Sequence, residues 1–321
     1  MTHNPTHSPP GGRADKLPPS TAPHRGVLPE LRVMHFVGPD AARFLQGYVT
    51  IDTAQLSPTQ ALAGAFCNLQ GRVVANGWLW GQSEAISLVT HHSSTSELAS
   101  FLTPYLNFSR TKLTTAPDAP VGALGDAIEQ LTTPVALSVG RAIDANPTIE
   151  PAMDQHRISQ AWFSQGLRHR EIWLAAQVSG KYLPQMLGMV ALGAVDFTKG
   201  CYLGQEVVAR AEHRGKVKRG LLCASFTSAI APEPGMRLLD GTAREQGVVV
   251  DVSGSSQTPK VGAPKDGAHK GYLAYVGKLS GTEDATHAKT PQGSFHYRIE
   301  PTAAVAENAQ ASGLKIELDL Y

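Results

Sequence analysis

Between Asp196 and Arg210 the chain places a lysine, a thiol, a phenol, an amide, a carboxylate and a guanidinium within fifteen residues. Gly200 and Gly204 flank Cys201 and let the backbone bend where a side chain would clash. From Gln205 to Ala211 no breaker interrupts the run, which predicts a short helix with Cys201 and Tyr202 in the approach to its N-terminus. The free backbone N–H groups and the positive end of the helix dipole favour an anion there, either a ligand carboxylate or a thiolate. Lys199 adds positive charge beside the thiol and acts in the same sense. Three roles are open to Cys201: a thiolate nucleophile, a redox-sensitive thiol, or a sulfur ligand for a transferred or shared cluster. The plainer alternative is a tight turn that holds a small buried cysteine.

Other chemistry-bearing residues are scattered. Arg210, Arg214, Lys216, Lys218 and Arg219 form a basic run broken by Glu212. It reads either as an electrostatic clamp for an acidic ligand, RNA or a partner's acidic face, or as a solvated turn. No aromatic residue interleaves it, so base stacking is not expected. Glu206 and Arg210 stand at i and i+4 of the predicted helix and are expected to pair with each other. The twelve histidines show no metal-ligand spacing. Cys67 and Cys223 fall on predicted strands as small hydrophobes, and no C-x-x-C pair suggests a disulfide framework or a metal cage. A net charge of +1 argues against a surface generally adapted to nucleic acid, and leaves room for one basic patch. With 42% hydrophobic residues and no apolar run near the ~20 that a membrane span needs, the chain reads as soluble and cytoplasmic. Its first thirty residues carry seven prolines and no hydrophobic core of a signal peptide.

Three modules are expected to position these groups: a disordered tail over 1–27, an α+β body over 28–217, and a C-terminal antiparallel β-barrel over 218–321. Leu31 to Val37 reads as a strand, followed by a helix that Gly38, Pro39 and Asp40 open and Gly47 stops. Residues 61–68, 72–80 and 85–90 read as an antiparallel meander. Ser94 caps a predicted helix to Leu106, with Leu98, Phe101, Leu102 and Leu106 on one side. Another strand–helix–strand alternation is expected over 108–195, with Trp162 in a strand-like Ala-Trp-Phe run. After Arg219, short strands at 221–226, 236–239, 247–252, 271–276 and 295–299, closed by 314–320, give the barrel. Residues 253–270 and 281–293 read as its loops.

The run Lys199-Gly-Cys-Tyr-Leu-Gly-Gln-Glu206, continued by Arg210, Arg214 and Gly215, closely resembles the signature of the YgfZ-type folate-binding family, related to the T-protein (aminomethyltransferase) of the glycine cleavage system. Phe44-Leu-Gln46-Gly47 with Thr50 and Asp52 resembles its opening motif, and Cys67-Asn-Leu-Gln-Gly71-Arg72 its second; the likeness spans about residues 31 to 250. The resemblance implies an aminomethyltransferase-like, folate-binding body with a β-barrel behind it. It also implies a tetrahydrofolate-binding accessory protein that supports assembly or repair of iron–sulfur enzymes, including those that modify tRNA, with Cys201 as the reactive group. Lys199, Gly200, Tyr202, Gly204, Gln205, Glu206 and Arg210 are its supporting motif. By the same likeness Trp162 stacks on the pterin, a second folate-site tryptophan is replaced by Leu31, and the basic run becomes a clamp for the glutamate tail. No stable metal site is expected; a shared cluster needs further ligands from a partner. Ala75 and Asn76 occupy the positions of the acidic pair of the T-protein, which disfavours ordinary aminomethyl transfer, since an amide is no carboxylate base. The alternative is a folate-dependent one-carbon transferase or demethylase.

Overall fold

In the computed structural model, residues 25–138, 140–145, 155–215, 217–228, 230–253, 269–279, 293–300 and 315–320 are described. In chain order the body contains β1 (Arg25–Val27), β2 (Leu31–Val37), α1 (Ala41–Gln46), β3 (Leu62–Cys67), β4 (Val73–Gln82), β5 (Ala85–His91), α2 (Ser94–Leu106), β6 (Lys112–Thr115), β7 (Val121–Leu124), β8 (Val135–Ala136), β9 (Arg141–Asp144), α3 (Gln155–Arg168) and α4 (Gln205–Arg214). Strands β10 (Arg219–Ser228), β11 (Arg237–Leu239), β12 (Glu245–Val252), β13 (His269–Lys278), β14 (Gly293–Glu300) and β15 (Lys315–Leu320) follow.

Apolar alternation explains the central sheet, β3-β4-β5-β2-β6, antiparallel throughout. Period-2 patterning sends Ala75 and Leu79 to one face and Trp78 and Trp80 to the other. The first face packs under α1 and α2 through Met34, Phe36, Phe44, Leu45, Leu98 and Leu102. The second joins a larger core with Trp162, Trp173 and Leu187 that runs on into Val250, Ala274 and Val276 of the C-terminal strands. A smaller sheet, β1-β7-β9-β8, lies against α3. The C-terminal strands pair in the order β10-β13-β12-β11-β14-β15, and β15 pairs back onto β10. Leu222, Phe226, Leu238, Val249 and Leu318 fill the space between them.

Several local expectations give way. Residues 25–27, assigned to the tail, form β1 on the edge of the smaller sheet, because Val27 and its neighbours pair with Val121 to Ala123. Trp162 lies inside α3 and not on a strand; Ile158, Trp162, Phe163, Gly166 and Leu167 recur at helical spacing, and this period overrides the β-like Ala-Trp-Phe triplet. From β6 to Val195 the described residues form four short strands, one helix and 3₁₀ turns, not a single strand–helix–strand unit. Ser94 is the first residue of α2 and not its cap; its hydroxyl donates to the carbonyl of Leu174, while Ser93 stands at the cap. Gly47 ends α1 with an ordinary right-handed backbone. Residues 1–24, Lys216 and most of the two long C-terminal loops lie outside the described residues.

Candidate functional site

Cys201 is exposed, on a loop held by two separate stretches of chain, 46–51 and 67–71. Lys199 is the principal tether. Its ammonium donates to the carbonyls of Gln46, Val49 and Ile51, each at 2.8 Å, and lies 5.3 Å from the centre of the Tyr202 ring. All three N–H bonds of a lysine are thereby matched by acceptors in a buried setting. Burial pushes the lysine pKa down to about 8, and the charges of Asp52 and Asp196 oppose that shift. Lys199 thus differs from the expected thiol activator: its N–H bonds run to the backbone of the opening motif.

Further bonds hold the same stretch. Leu203 N–H donates to the carbonyl of Gly47 at 2.9 Å, and Asp196 N–H to that of Thr50 at 2.9 Å. The Thr50 hydroxyl donates to Ala194 and accepts from Ala65 N–H. Asp196 closes the turn ahead of the thiol, accepting from the N–H and hydroxyl of Thr198 and the N–H of Lys199; the bonds from Thr198 hold its carboxyl below the usual range.

The second motif supports the loop from the other side. Gly204 has φ +84°, and a Cβ there would lie 2.3 Å from the carbonyl oxygen of Asn68, so only glycine fits. Gly200 is different: a Cβ would meet nothing within 4 Å, and the bend does not depend on that glycine. The Asn68 side chain accepts from the N–H groups of Gln70 and Arg72 and shapes the β3–β4 turn, while Arg72 donates to the carbonyl of Lys181. Gly204 then leads into α4, where the Gln205 side chain accepts from Tyr202 N–H at 3.3 Å and Arg210 pairs with Glu206 at 2.6 Å. Tyr202 is buried, its hydroxyl has no hydrogen-bond partner among the described residues, and burial raises its pKa strongly. Cys67 ends β3 beneath this loop and Cys223 lies in β10; both are sealed from water, which pushes each thiol up to about 12.

Trp162 is fully buried, with its indole nitrogen facing Gly122 and the Arg141 guanidinium carbon 4.3 Å from its ring centre. Trp173 covers it further at 5.8 Å between ring centres. This packing leaves no open face for the pterin stack expected at Trp162. Leu31 is equally buried, in the same core. Around these tryptophans lies a charged joint that sequence reasoning did not foresee. Arg141 pairs with Glu171, which also accepts from the Ser138 hydroxyl. Nearby Asp251 of β12 accepts the N–H of Trp173 at 2.7 Å. Desolvation raises the Asp251 carboxyl to about 7.

On β4, Ala75 is buried and Asn76 fastens the segment ahead of the motif. Its amide donates to the carbonyl of Ile172 at 2.7 Å and accepts from Leu174 N–H at 2.8 Å. The basic run is divided: Arg210 pairs with Glu206 and Arg219 with Glu245, while Arg214 and Lys218 are exposed and Lys216 lies outside the described residues. Among the described residues no three His, Cys, Asp or Glu side chains gather as a metal site, and no helix is long and apolar enough to cross a membrane.

A protein of Klebsiella pneumoniae (strain 342) named tRNA-modifying protein YgfZ is 29% identical over 234 residues, which cover 62% of this chain and 70% of that one. Its namesake in Escherichia coli O157:H7 is 28% identical over 251 residues, 65% and 74% of the two chains. The chain is a relative of the YgfZ-type proteins. No protein-family model matches it. Its fold is that of the glycine cleavage system aminomethyltransferase T from Bartonella henselae, with a TM-score of 0.50 and 12% identity over 93% of this chain and 86% of that one.

Proposed function

We propose that the protein is a YgfZ-type accessory factor that binds tetrahydrofolate, supports assembly or repair of iron–sulfur enzymes, including those that modify tRNA, and acts through Cys201 in the cytoplasm. One observation carries this reading: Cys201 is exposed, while Lys199 and Leu203 beside it are fixed to the stretch 46–51 and Gly204 is packed against the β3–β4 turn. A chain that merely tolerated a surface cysteine would have no need for a buried ammonium and a left-handed glycine to hold its loop.

Within this reading the residues have distinct tasks. Lys199 and Gly204 hold the loop, Gln205 and the Glu206–Arg210 pair order the start of α4, and Cys201 offers its sulfur to an incoming partner. Any cluster held there takes its remaining ligands from that partner, because Cys67 and Cys223 are sealed in the core. Arg214 and Lys218 supply exposed positive charge for a weak contact with tRNA or with a partner's acidic face. Bound tetrahydrofolate would supply a carrier for one-carbon units. Trp162, with its face covered, does not fit it.

The other reading, a folate-dependent transferase or demethylase, lacks its base. Asn76 stands at the acidic position and both ends of its amide are engaged with backbone. The test is to delete the gene in its host and measure the nucleosides of tRNA whose modification needs iron–sulfur enzymes. The reading expects a fall that the full chain restores. Unchanged levels, or turnover of an N-methyl or aminomethyl donor by the purified protein with folate, would favour the transferase.

A further inference from the structure

Beside the thiol loop, the β3–β4 turn and the start of α4 meet in a seam. Gly71 turns with φ +69°, and a Cβ there would lie 3.0 Å from Cβ of Val207, so the turn rests directly on the helix. One residue on, Val208 is fully buried, and the Gln185 amide donates to its carbonyl at 2.8 Å and to Glu212 at 3.2 Å, which fixes the inner side of α4. The outer side carries apolar surface: Leu69 in the turn is 67% exposed and Val207 37%. Among the described residues the only other large apolar side chains so exposed are Val37 and Phe108. Around the pair stand Arg72 and Lys181, joined by the bond from the Arg72 guanidinium to the Lys181 carbonyl. Arg210 and Arg214 follow Val207 on the same side of α4, and all four cationic residues are exposed. On α4 only Glu206, paired with Arg210, and Glu212, bonded to Gln185, oppose them. A chain with a net charge of +1 thus gathers positive charge around an apolar pair.

We propose that this seam docks an acidic protein segment, with an apolar side chain at its centre, of the iron–sulfur enzyme that Cys201 serves. The inference rests on the function proposed above and names the chemistry by which its partner is recognised. Charge decides the sign of the partner: complementary charge speeds encounter and fixes register, while desolvated apolar anchors hold the complex. The same side chains favour protein over RNA, because Leu69 and Val207 present no ring on which a base could stack. The seam also lies in the right place. Gly204, three residues after Cys201, packs on Asn68 of the same turn, so a segment resting on Leu69 and Val207 borders the thiol loop.

The test compares the parent with two double variants of the full chain, an acidic one (Leu69→Glu, Val207→Glu) and a basic one (Leu69→Lys, Val207→Lys). Both remove the apolar anchors at exposed positions, and only the acidic variant also repels an acidic partner. Deletion of the gene identifies an iron–sulfur enzyme whose tRNA nucleoside falls; that enzyme, purified, is the binding probe, with total tRNA beside it. Expected is binding of the enzyme that weakens as salt rises, about tenfold or more weaker in the acidic variant and less so in the basic one. In the deletion strain the acidic variant should restore the nucleoside least. Urea unfolding and alkylation of Cys201 by a small reagent should be alike in all three proteins. An acidic variant that binds the enzyme and restores the nucleoside as the parent does overturns the docking seam and leaves the proposed function standing. Equal losses in the two variants, or no binding of the enzyme by the parent, also overturn the inference. Weaker tRNA binding with enzyme binding unaltered makes RNA the occupant and overturns it as well. No fall of any such nucleoside on deletion removes the functional reading and this inference with it.

Discussion

Replacing Lys199 by methionine tests how the reactive loop is held. Methionine keeps most of the hydrocarbon and removes the ammonium, leaving the carbonyls of Gln46, Val49 and Ile51 without their donor. The bonds to Val49 and Ile51 are buried, and a buried polar group left unpaired costs about 1–3 kcal/mol. Water can reach the Gln46 carbonyl more easily, since that bond is only partly buried. Against the loss stands relief of the ammonium's own desolvation, the cause of its lowered pKa. The balance is a destabilisation of about 3 kcal/mol, read by urea unfolding followed through tryptophan fluorescence. Arginine at the same position is not expected to restore it, because a planar guanidinium cannot direct three donors to convergent carbonyls as an ammonium does. Loosening of the loop should also change the rate at which an alkylating reagent modifies Cys201. A methionine variant within about 0.5 kcal/mol of the parent, with unaltered Cys201 alkylation, would refute the assignment of Lys199 as the tether.

Two other perturbations follow from the buried groups. Asp251 has its folded-state pKa raised from 3.8 to about 7, so the folded protein retains a proton that the unfolded chain has released between those values. Its contribution to stability is complete below about pH 4 and is lost as pH rises through 7; Asp251→Asn should flatten that part of the profile, by on the order of 1 kcal/mol per pH unit in urea unfolding at a series of pH values. Asn76→Asp should not create aminomethyl transfer. It sets a carboxylate against the Ile172 carbonyl in place of a donor, with an expected loss of about 2 kcal/mol visible in unfolding and no gain of folate-dependent turnover.

Much of the fold could be read from local pattern. The meander of β3, β4 and β5 and the C-terminal strands follow from alternation and turn residues, and the start of α4 from an unbroken run after Gly204. Trp162 misled because two adjacent aromatic, β-favouring residues outweighed the wider helical period that runs from Ile158 to Leu167. The motif residues were legible as a set, but their division of labour was not: Lys199 looks like a thiol activator beside Cys201 in sequence, and only the fold brings the Gln46, Val49 and Ile51 carbonyls to it. Gly200 and Gly204 look equivalent, yet only Gly204 has a backbone oxygen where its Cβ would stand. The joint of Arg141, Glu171 and Asp251 joins positions far apart in the chain, and charged residues give no periodic sign of burial.

The account stands on the sulfur of Cys201, and serine at that position is the closest trial of it. The exposed side chain should be replaceable without change in folding. In cells lacking the native gene, the serine variant, accumulating to the parent's level, should leave the iron–sulfur-dependent nucleosides of tRNA as depleted as an empty vector does. Nucleosides restored to the parent's level by the serine variant would contradict the account.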